Sequence, residues 1–141
     1  MNNKKAGYKF IDHTADVMFE AYGSDLNELF ENSGLALQEL QVELKNVKSK
    51  IIKEIKLENK SVEMLLFDFL QELIFLKDTE QLIFSKFKVK IKGDKLNAVC
   101  SGEKIDINKH ECKVDAKAIT LHKYEVKKLK DKWVARVIVD I

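Results

Sequence analysis

The chain has 141 residues, which suits a single domain that buries a substantial core. Hydrophobic residues make up 45% and charged residues 34%, a balance that excludes a disordered chain. The 25 basic and 23 acidic residues nearly cancel, so the total charge gives no strong case for a protein that binds nucleic acid or a membrane surface, although a balanced total leaves room for a local patch. Because the chain has no proline and only five glycines, we expect no linker and one domain over residues 1–141.

The two cysteines and the N-terminus indicate the cellular compartment. Cys100 and Cys112 form neither a CxxC pair nor a disulfide framework. The first residues, Met-Asn-Asn-Lys-Lys, are basic but no apolar signal core follows them. We therefore expect a cytoplasmic protein with no membrane association.

The first part of the chain is predicted to be a strand followed by a helix. Lys9 to Tyr22 reads as extended, and Val17, Phe19 and Ala21 fall on one face. Gly23 ends this strand, and Ser24 is predicted to be the N-cap of the helix. Three-to-four spacing gives this first helix one apolar stripe, formed by Leu26, Leu29, Phe30, Leu37 and Leu40.

A second helix is predicted after another strand. Val47 to Asn59 is expected to be mostly strand, and Ser61 is expected to cap a helix from Val62 to Lys77. This helix has little polar surface, so we expect it to be buried on most sides. Its apolar run falls short of the ~20 residues that span a bilayer.

Only strands are predicted in the rest of the chain. Two of them turn at Gly93-Asp94, and Gly102 marks a bend or bulge. Val114 to Leu121 and Tyr124 to Leu129 are predicted as separate strands. The last strand places one set of residues on a common face: Trp133, Ala135, Val137, Val139 and Ile141. The predicted fold class is α+β, with two helices packed on a largely antiparallel sheet.

Carboxylates near both ends of the chain are candidate metal ligands. Asp12-His13-Thr14-Ala15-Asp16 precedes an apolar strand, and Asp140-Ile141 ends the sequence. If the first and last strands are neighbours, Asp16, Asp140 and the terminal carboxylate of Ile141 could bind a hard divalent cation such as calcium. Spacing alone leaves a plain alternative open, because an isolated aspartate in a strand is more often solvated or hydrogen-bonded.

The other reactive side chains do not assemble an enzyme. His13, His110 and His122 lack the HExxH or close paired spacing of a zinc site. Cys112 lies two residues after His110, but that spacing on a strand brings no special activation. The chain also lacks a glycine-rich phosphate loop and a GxSxG motif.

One stretch leaves an RNA-binding interpretation open. Phe84 and Phe87 alternate with Lys86, Lys88 and Lys90, a pattern that could form a stacking platform for RNA bases. The same pattern is produced by a half-buried strand with a lysine-coated outer face, which is the commoner case.

Several stretches in order resemble the archease family over essentially the whole chain. The resemblance is carried by Asp12-His13-Thr14-Ala15-Asp16, Tyr22 to Phe30, Met64 to Leu73, Gly102-Glu103, Asp106 to His110, Val114 to His122, Trp133-Val134-Ala135 and Asp140-Ile141. Each stretch is short, but the ordered set is specific. One position departs from the family pattern: Leu121 stands before His122 where an aromatic residue is usual.

The resemblance implies a function that the composition does not show. Archeases are non-catalytic partners of the RtcB-type RNA ligase, which seals tRNA halves after intron removal and repairs other broken RNAs. They promote guanylylation of that ligase with GTP and its multiple turnover, and contact RNA through the ligase. The family metal, calcium, implies Asp16, Asp140 and Ile141 as ligands here, with Asp12 near them.

The resemblance also implies a fold, a duplicated strand–helix–strand–strand unit. Two other functions stay open: an RNA-binding module and a metal-dependent hydrolase. The first predicts salt-sensitive affinity for tRNA without a ligase. The second predicts turnover of phosphoesters or nucleotides by the isolated protein.

Overall fold

The computed structural model describes residues 3–5, 7–11 and 16–141, and two helices organise this part of the chain. Helix α1 spans Leu26–Gln41 and helix α2 spans Val62–Glu80. Ser61 caps α2 as predicted, since its hydroxyl accepts a hydrogen bond from the Met64 N–H. The predicted cap of α1 was wrong by one residue. Asp25 is the cap and accepts from the Glu28 N–H, while the Ser24 N–H donates to the Glu28 carboxylate.

Eight strands accompany the helices in the described residues. Their bounds are β1 Asn3–Lys5, β2 Tyr8–Ile11, β3 Val17–Gly23, β4 Ile51–Glu58, β5 Leu82–Lys92, β6 Lys95–Lys104, β7 Ala118–Lys128 and β8 Trp133–Asp140. A short 3-10 helix, Leu44–Asn46, lies between α1 and β4, so the strand predicted from Val47 begins later.

Two strand predictions are corrected by the pairing. The single extended run from Lys9 to Tyr22 is two antiparallel strands, in which Phe10 of β2 lies opposite Phe19 of β3. The two strands predicted over 114–129 are one strand, β7, with a wide bulge. Thr120 pairs with Ile138 and Glu125 with Arg136, so residues 121–124 face only Val137. Within this bulge, the backbone of Lys123 adopts the left-handed conformation, with a φ of 54°.

The strands form two antiparallel sheets rather than one. The five-stranded sheet has the order β1-β2-β3-β8-β7, and the three-stranded sheet has the order β4-β6-β5. In chain order, β4-α2-β5-β6 is a strand–helix–strand–strand unit, and β3-α1 with β7-β8 is a second. Both units place their last strand in the middle. The predicted duplication is therefore confirmed, and one unit is inserted into the other between its helix and its third strand.

Each helix covers the edge strand of the other unit. Side chains of α1 accept hydrogen bonds from backbone N–H groups of β5: Gln38 from Phe84, Glu31 from Val89 and Asn27 from Ile91. Gln71 of α2 likewise accepts from the Ile119 N–H of β7. These bonds satisfy donors that an edge strand otherwise exposes.

The core is continuous across both units. Phe19, Phe30, Phe69 and Phe84 are fully buried, and they come from both sheets and both helices. The predicted inward face of β8 is confirmed at Ala135, Val137 and Val139, which are fully buried. The middle of β8 is therefore buried in this core, and its last residue, Asp140, emerges at the surface.

A buried lysine connects α2 to the chain that leads into β7. The Lys77 ammonium is 7% exposed and donates to the Asp115 carboxylate and to the Ala116 carbonyl oxygen at 2.6 Å. Replacing Lys77 with methionine should lower the free energy of unfolding by about 1–3 kcal/mol, because the buried carbonyl loses its donor. Urea denaturation measures this change.

The matched control for this prediction is Asp115→Asn. The Asp115 side chain is 71% exposed, so its substitution should cost less than about 1 kcal/mol. Equal losses of stability in the two variants would contradict the role assigned to the lysine.

Candidate metal centre

The predicted ligands Asp16 and Asp140 lie opposite each other at one end of two neighbouring strands. Strands β3 and β8 are antiparallel, and Val17 pairs with Val139. One step further along this register, Asp16 faces Asp140, and Ile141 follows directly. Asp140 and Ile141 are exposed and Asp16 is half-buried. The three residues that the sequence nominated thus lie at the same end of the β3–β8 pair, and their binding of a metal stays a prediction.

The far side of Asp140 is closed by the start of β7. Ala118 pairs with Asp140, and the Asp140 carbonyl oxygen accepts from the Lys117 N–H at 2.8 Å. The backbone of Asp140 is therefore held by the start of β7, while the residue itself is exposed.

The arginine on the same face of the sheet does not neutralise these carboxylates. Arg136 is two positions from Ile138 and four from Asp140 along β8, and its guanidinium bonds Glu20 at 3.1 Å. Burial alone would raise the pKa of Glu20. The hydrogen bonds from Tyr22 and Arg136, together with the nearby charge of Lys9, have a larger opposite effect, so the pKa of Glu20 is lowered. In the described part of the chain, Asp16 and Asp140 take part in no salt bridge.

The donor chemistry at this end of the sheet fits a hard cation. The available donors are carboxylate oxygens, which calcium prefers and zinc takes less often than nitrogen or sulfur. Two described side chains are too few for a closed site. Among residues 3–5, 7–11 and 16–141, no group of three or more His, Cys, Asp or Glu side chains is placed to hold a metal ion. A site here needs the main-chain carboxylate of Ile141, other backbone oxygens or water.

Two other groups bear on this site. Asp12 and His13, which the sequence placed beside the ligands, lie outside the described residues. Thr120, on the neighbouring strand opposite Ile138, has a buried hydroxyl with no hydrogen-bond partner among the described residues. This unpartnered hydroxyl was not predicted from the sequence.

The comparisons with known proteins decide the family. The sequence profile of the archease protein family (MTH1598/TM1083) matches residues 8–141. The chain belongs to the archease family.

Similar archeases cover nearly the whole chain. Protein archease of Pyrococcus abyssi is 41% identical over 95% of this chain and 98% of its own. That of Methanosarcina barkeri is 34% identical over all of both chains. The solution structure of Methanobacterium thermoautotrophicum protein 1598 is 40% identical, with a TM-score of 0.86 over 97% of this chain and all of that one. A crystal structure of a Thermotoga maritima archease, called a possible chaperone, shares the fold at 22% identity and a TM-score of 0.66.

Several stretches that carry the archease resemblance hold the long connection between β6 and β7 in place. Glu103 is buried and accepts hydrogen bonds from the Lys48 N–H at 2.7 Å and from the Lys109 ammonium at 2.8 Å. His110 lies 3.0 Å from the same carboxylate through Nε2. Its Nδ1 accepts from the Asp106 N–H, so the ring is neutral with its proton on Nε2. His110 is thus a structural residue of this archease.

The Glu103 cluster predicts a specific pH dependence of stability. Burial raises the pKa of Glu103, but the bonds from Lys109, Lys48 and His110 outweigh it and hold that pKa at about 2 instead of 4.5. Since the folded pKa lies below the unfolded one, the carboxylate stabilises the fold above pH 4.5, and this contribution is lost as the pH falls toward 2.

The Glu103→Gln variant measures this contribution by urea denaturation between pH 6 and pH 3. The variant should be less stable than wild type at pH 6, and the difference should shrink at pH 3. A difference that stays constant or grows on acidification would show that Glu103 does not titrate as described.

The cysteines and Leu121 of this archease form no reactive site in the described residues. Cys100 is fully buried, and burial raises the pKa of its thiol to about 12. Cys112 is exposed, but both nitrogens of His110 are already engaged, so the two do not form a nucleophile and base. Leu121, the departure from the family pattern, is 57% exposed on the β7 bulge, so it leaves the core unaffected.

The stacking platform considered for RNA is wrong. Phe84 is fully buried, and Phe87 packs edge-on against Phe69 and Phe84 on the inner face of its sheet. Lys86, Lys88 and Lys90 are exposed, so this is a half-buried strand with a lysine-coated outer face. In the described residues, no helix is long and apolar enough to cross a membrane.

Proposed function

We propose that this archease is a non-catalytic activator of an RtcB-type RNA ligase in tRNA splicing and RNA repair. It would promote guanylylation of the ligase with GTP and allow the ligase to turn over many times. Family membership supports this proposal, and the resemblance of the Asp12–Asp16 stretch and of Asp140-Ile141 supports the use of calcium.

The observation that carries the proposal is the register of β3 and β8. Its last pair is Val17 with Val139, so one further step along it puts Asp16 across from Asp140, with Ile141 next in the chain, at an exposed end of the sheet. Carboxylates contributed by two hydrogen-bonded strands are held at a fixed separation, which lowers the entropy lost when a ligand binds. The end of the sheet that carries these three residues is called the acidic tip below.

The surroundings of the acidic tip favour a binding role over a chemical one. Within the described residues, the tip carries neither a cysteine nor a histidine that could act as nucleophile or base. His110 and Cys100 are buried, and Cys112 and His122 belong to other segments. A metal-dependent hydrolase often uses such groups beside the metal ion and its carboxylates to activate and deliver water.

The acidic tip would act through its fit to one state of the ligase. Asp16, Asp140 and the carboxylate of Ile141 would hold the calcium ion, which when bound adds positive charge that phosphate or carboxylate groups of a partner can contact. A tip that binds the guanylylation-competent ligase more tightly than its other states shifts the population toward that state. The ligase itself would perform every chemical step.

Multiple-turnover ligation tests the proposal. A cognate ligase with GTP and excess broken RNA is assayed with and without this protein, whose C-terminus is left untagged. The protein should increase the number of RNA ends joined per ligase, while the isolated protein should join none and hydrolyse neither GTP nor phosphoesters. An unchanged number of ligations per ligase would contradict the proposal, and hydrolysis by the isolated protein would favour the hydrolase alternative.

A further inference from the structure

The outer face of the three-stranded sheet carries a row of lysines that the acidic tip does not use. On β5, Lys86, Lys88, Lys90 and Lys92 are exposed, and the residues between them point inward. Alternate residues of a strand are about 6.8 Å apart, so the row extends over about 20 Å. No salt bridge in the described residues includes any of these four lysines. This set is called the lysine row.

Neighbouring strands add to the positive charge of the same face. Lys92 of β5 lies opposite Lys95 of β6. Asn97 of β6 lies between Lys90 of β5 and Lys56 of β4. A groove of ≈ 740 Å³ is lined by several of these lysines. With Glu54 and Glu58, the face has six lysines and two glutamates, an excess of four positive charges, whereas the whole chain carries +2.

Protection of a sheet edge does not account for the lysine row. Lysines on edge strands commonly prevent pairing with other chains. Here α1 already covers the edge of β5, because Gln38, Glu31 and Asn27 accept hydrogen bonds from its backbone at 2.8–2.9 Å. Since the helix closes this edge, protection of the edge does not explain the lysines.

The chemistry of the face fits a regularly charged polyanion. The exposed large apolar residues of this sheet are Ile52 and Val99, and Val99 lies between Glu54 and Lys88 in the register. Two separate aliphatic side chains with no exposed aromatic residue do not form the apolar face of a membrane-binding surface. The aromatic side chains of β5 face the core, which leaves no platform for bases. Evenly spaced ammonium groups with no aromatic partner suit phosphates rather than bases.

We propose that the lysine row binds the phosphate backbone of RNA directly, without reading its sequence. This contact is separate from the acidic tip and does not depend on the ligase. Four phosphate contacts to single-stranded RNA predict a salt slope of about −2.8, so affinity should fall about 50-fold between 50 and 200 mM salt.

Fluorescence anisotropy with a labelled single-stranded RNA of mixed sequence tests the proposal on the full chain, without any ligase. In the test variant, all four lysines of the row become glutamine, which keeps side-chain length and removes charge. The matched control makes the same change at four exposed lysines elsewhere: Lys45, Lys117, Lys128 and Lys130. Thermal unfolding by circular dichroism verifies that both variants fold.

The row variant should lose about tenfold or more in affinity at 50 mM salt, and its salt slope should become shallower by about 3. The control should stay within about threefold of wild type. Equal losses in the two variants, or no RNA binding by wild type, would overturn the proposal. So would binding of the row to anionic lipid vesicles in place of RNA. Because no ligase is present, this failure is distinct from a failure of ligase activation.

Discussion

Replacing Asp140 with asparagine should abolish calcium binding, as measured by calorimetric titration of the full chain with calcium. Asp140 is one of two described side-chain carboxylates at the acidic tip, opposite Asp16 in the β3–β8 register. A site with so few ligands depends on each anionic oxygen, because affinity for calcium rises with the number of charged ligands. Asp16→Asn should have the same effect.

Stability separates loss of binding from loss of fold. Without calcium, Asp140→Asn should match wild type or exceed it slightly, since it removes repulsion between exposed carboxylates. A calcium concentration one hundred times the dissociation constant should stabilise wild type by about 2.7 kcal/mol and leave the variant unchanged.

The matched control is Asp131→Asn. Asp131 is exposed in the turn before β8, at the opposite end of the strand from Asp140. The Asp131→Asn variant should bind calcium with the same affinity as wild type. Equal calcium affinity in the Asp140 and Asp131 variants would remove Asp140 from the site.

Gly102→Ala should have the largest effect on stability. A Cβ at Gly102 would lie 1.9 Å from the Ile83 carbonyl oxygen and 2.6 Å from the Phe84 Cα. Both obstacles are backbone of β5, next to the bulge between Phe84 and Lys86, so β5 and β6 would have to separate. The loss should be about 3 kcal/mol or more, measured by urea denaturation, or the chain should fail to fold.

Ser101→Ala is the control for this prediction. Ser101 lies on the same strand and already has a Cβ, so its substitution should stay within about 0.5 kcal/mol. If Gly102→Ala lowered the free energy of unfolding as little as Ser101→Ala, the close approach of β5 to β6 would not require glycine at this position.

The elements with strong local patterns could be predicted from the sequence. Helix α2 was evident because apolar residues surround it between the Ser61 cap and its end. The inward face of β8 followed from simple alternation. The cap of α1 was displaced by one residue, since Ser24 and Asp25 are both good caps and only Asp25 accepts the Glu28 N–H.

The missed features depend on pairing between distant parts of the chain. The break predicted inside β7 was placed at the polar residues His122 and Lys123, whereas in the structure residues 121–124 form a bulge against Val137 of β8. The division into two sheets and the insertion of one unit into the other also arise from such pairing. A strand pattern shows which face is apolar, but it does not name the neighbouring strand.

The candidate ligands could be predicted only in part. Asp16 and Asp140 were nominated on the condition that the first and last strands are neighbours, and the register satisfies this condition. The roles of Lys77 and Glu103 were missed, although Lys77 carried a signal. It lies three and four residues after Ile74 and Leu73, on the apolar stripe of α2. A charged residue on a buried stripe requires partners, but the sequence does not show that they are Asp115 and Ala116.

The most direct test of the account is the rate of guanylylation of a cognate RtcB-type ligase by GTP, measured with wild-type protein and with Asp140→Asn and Asp131→Asn at equal concentrations. We predict that wild type and Asp131→Asn accelerate guanylylation equally and that Asp140→Asn, although folded, does not. Acceleration by Asp140→Asn equal to that of wild type would contradict the claim that the acidic tip acts on the ligase.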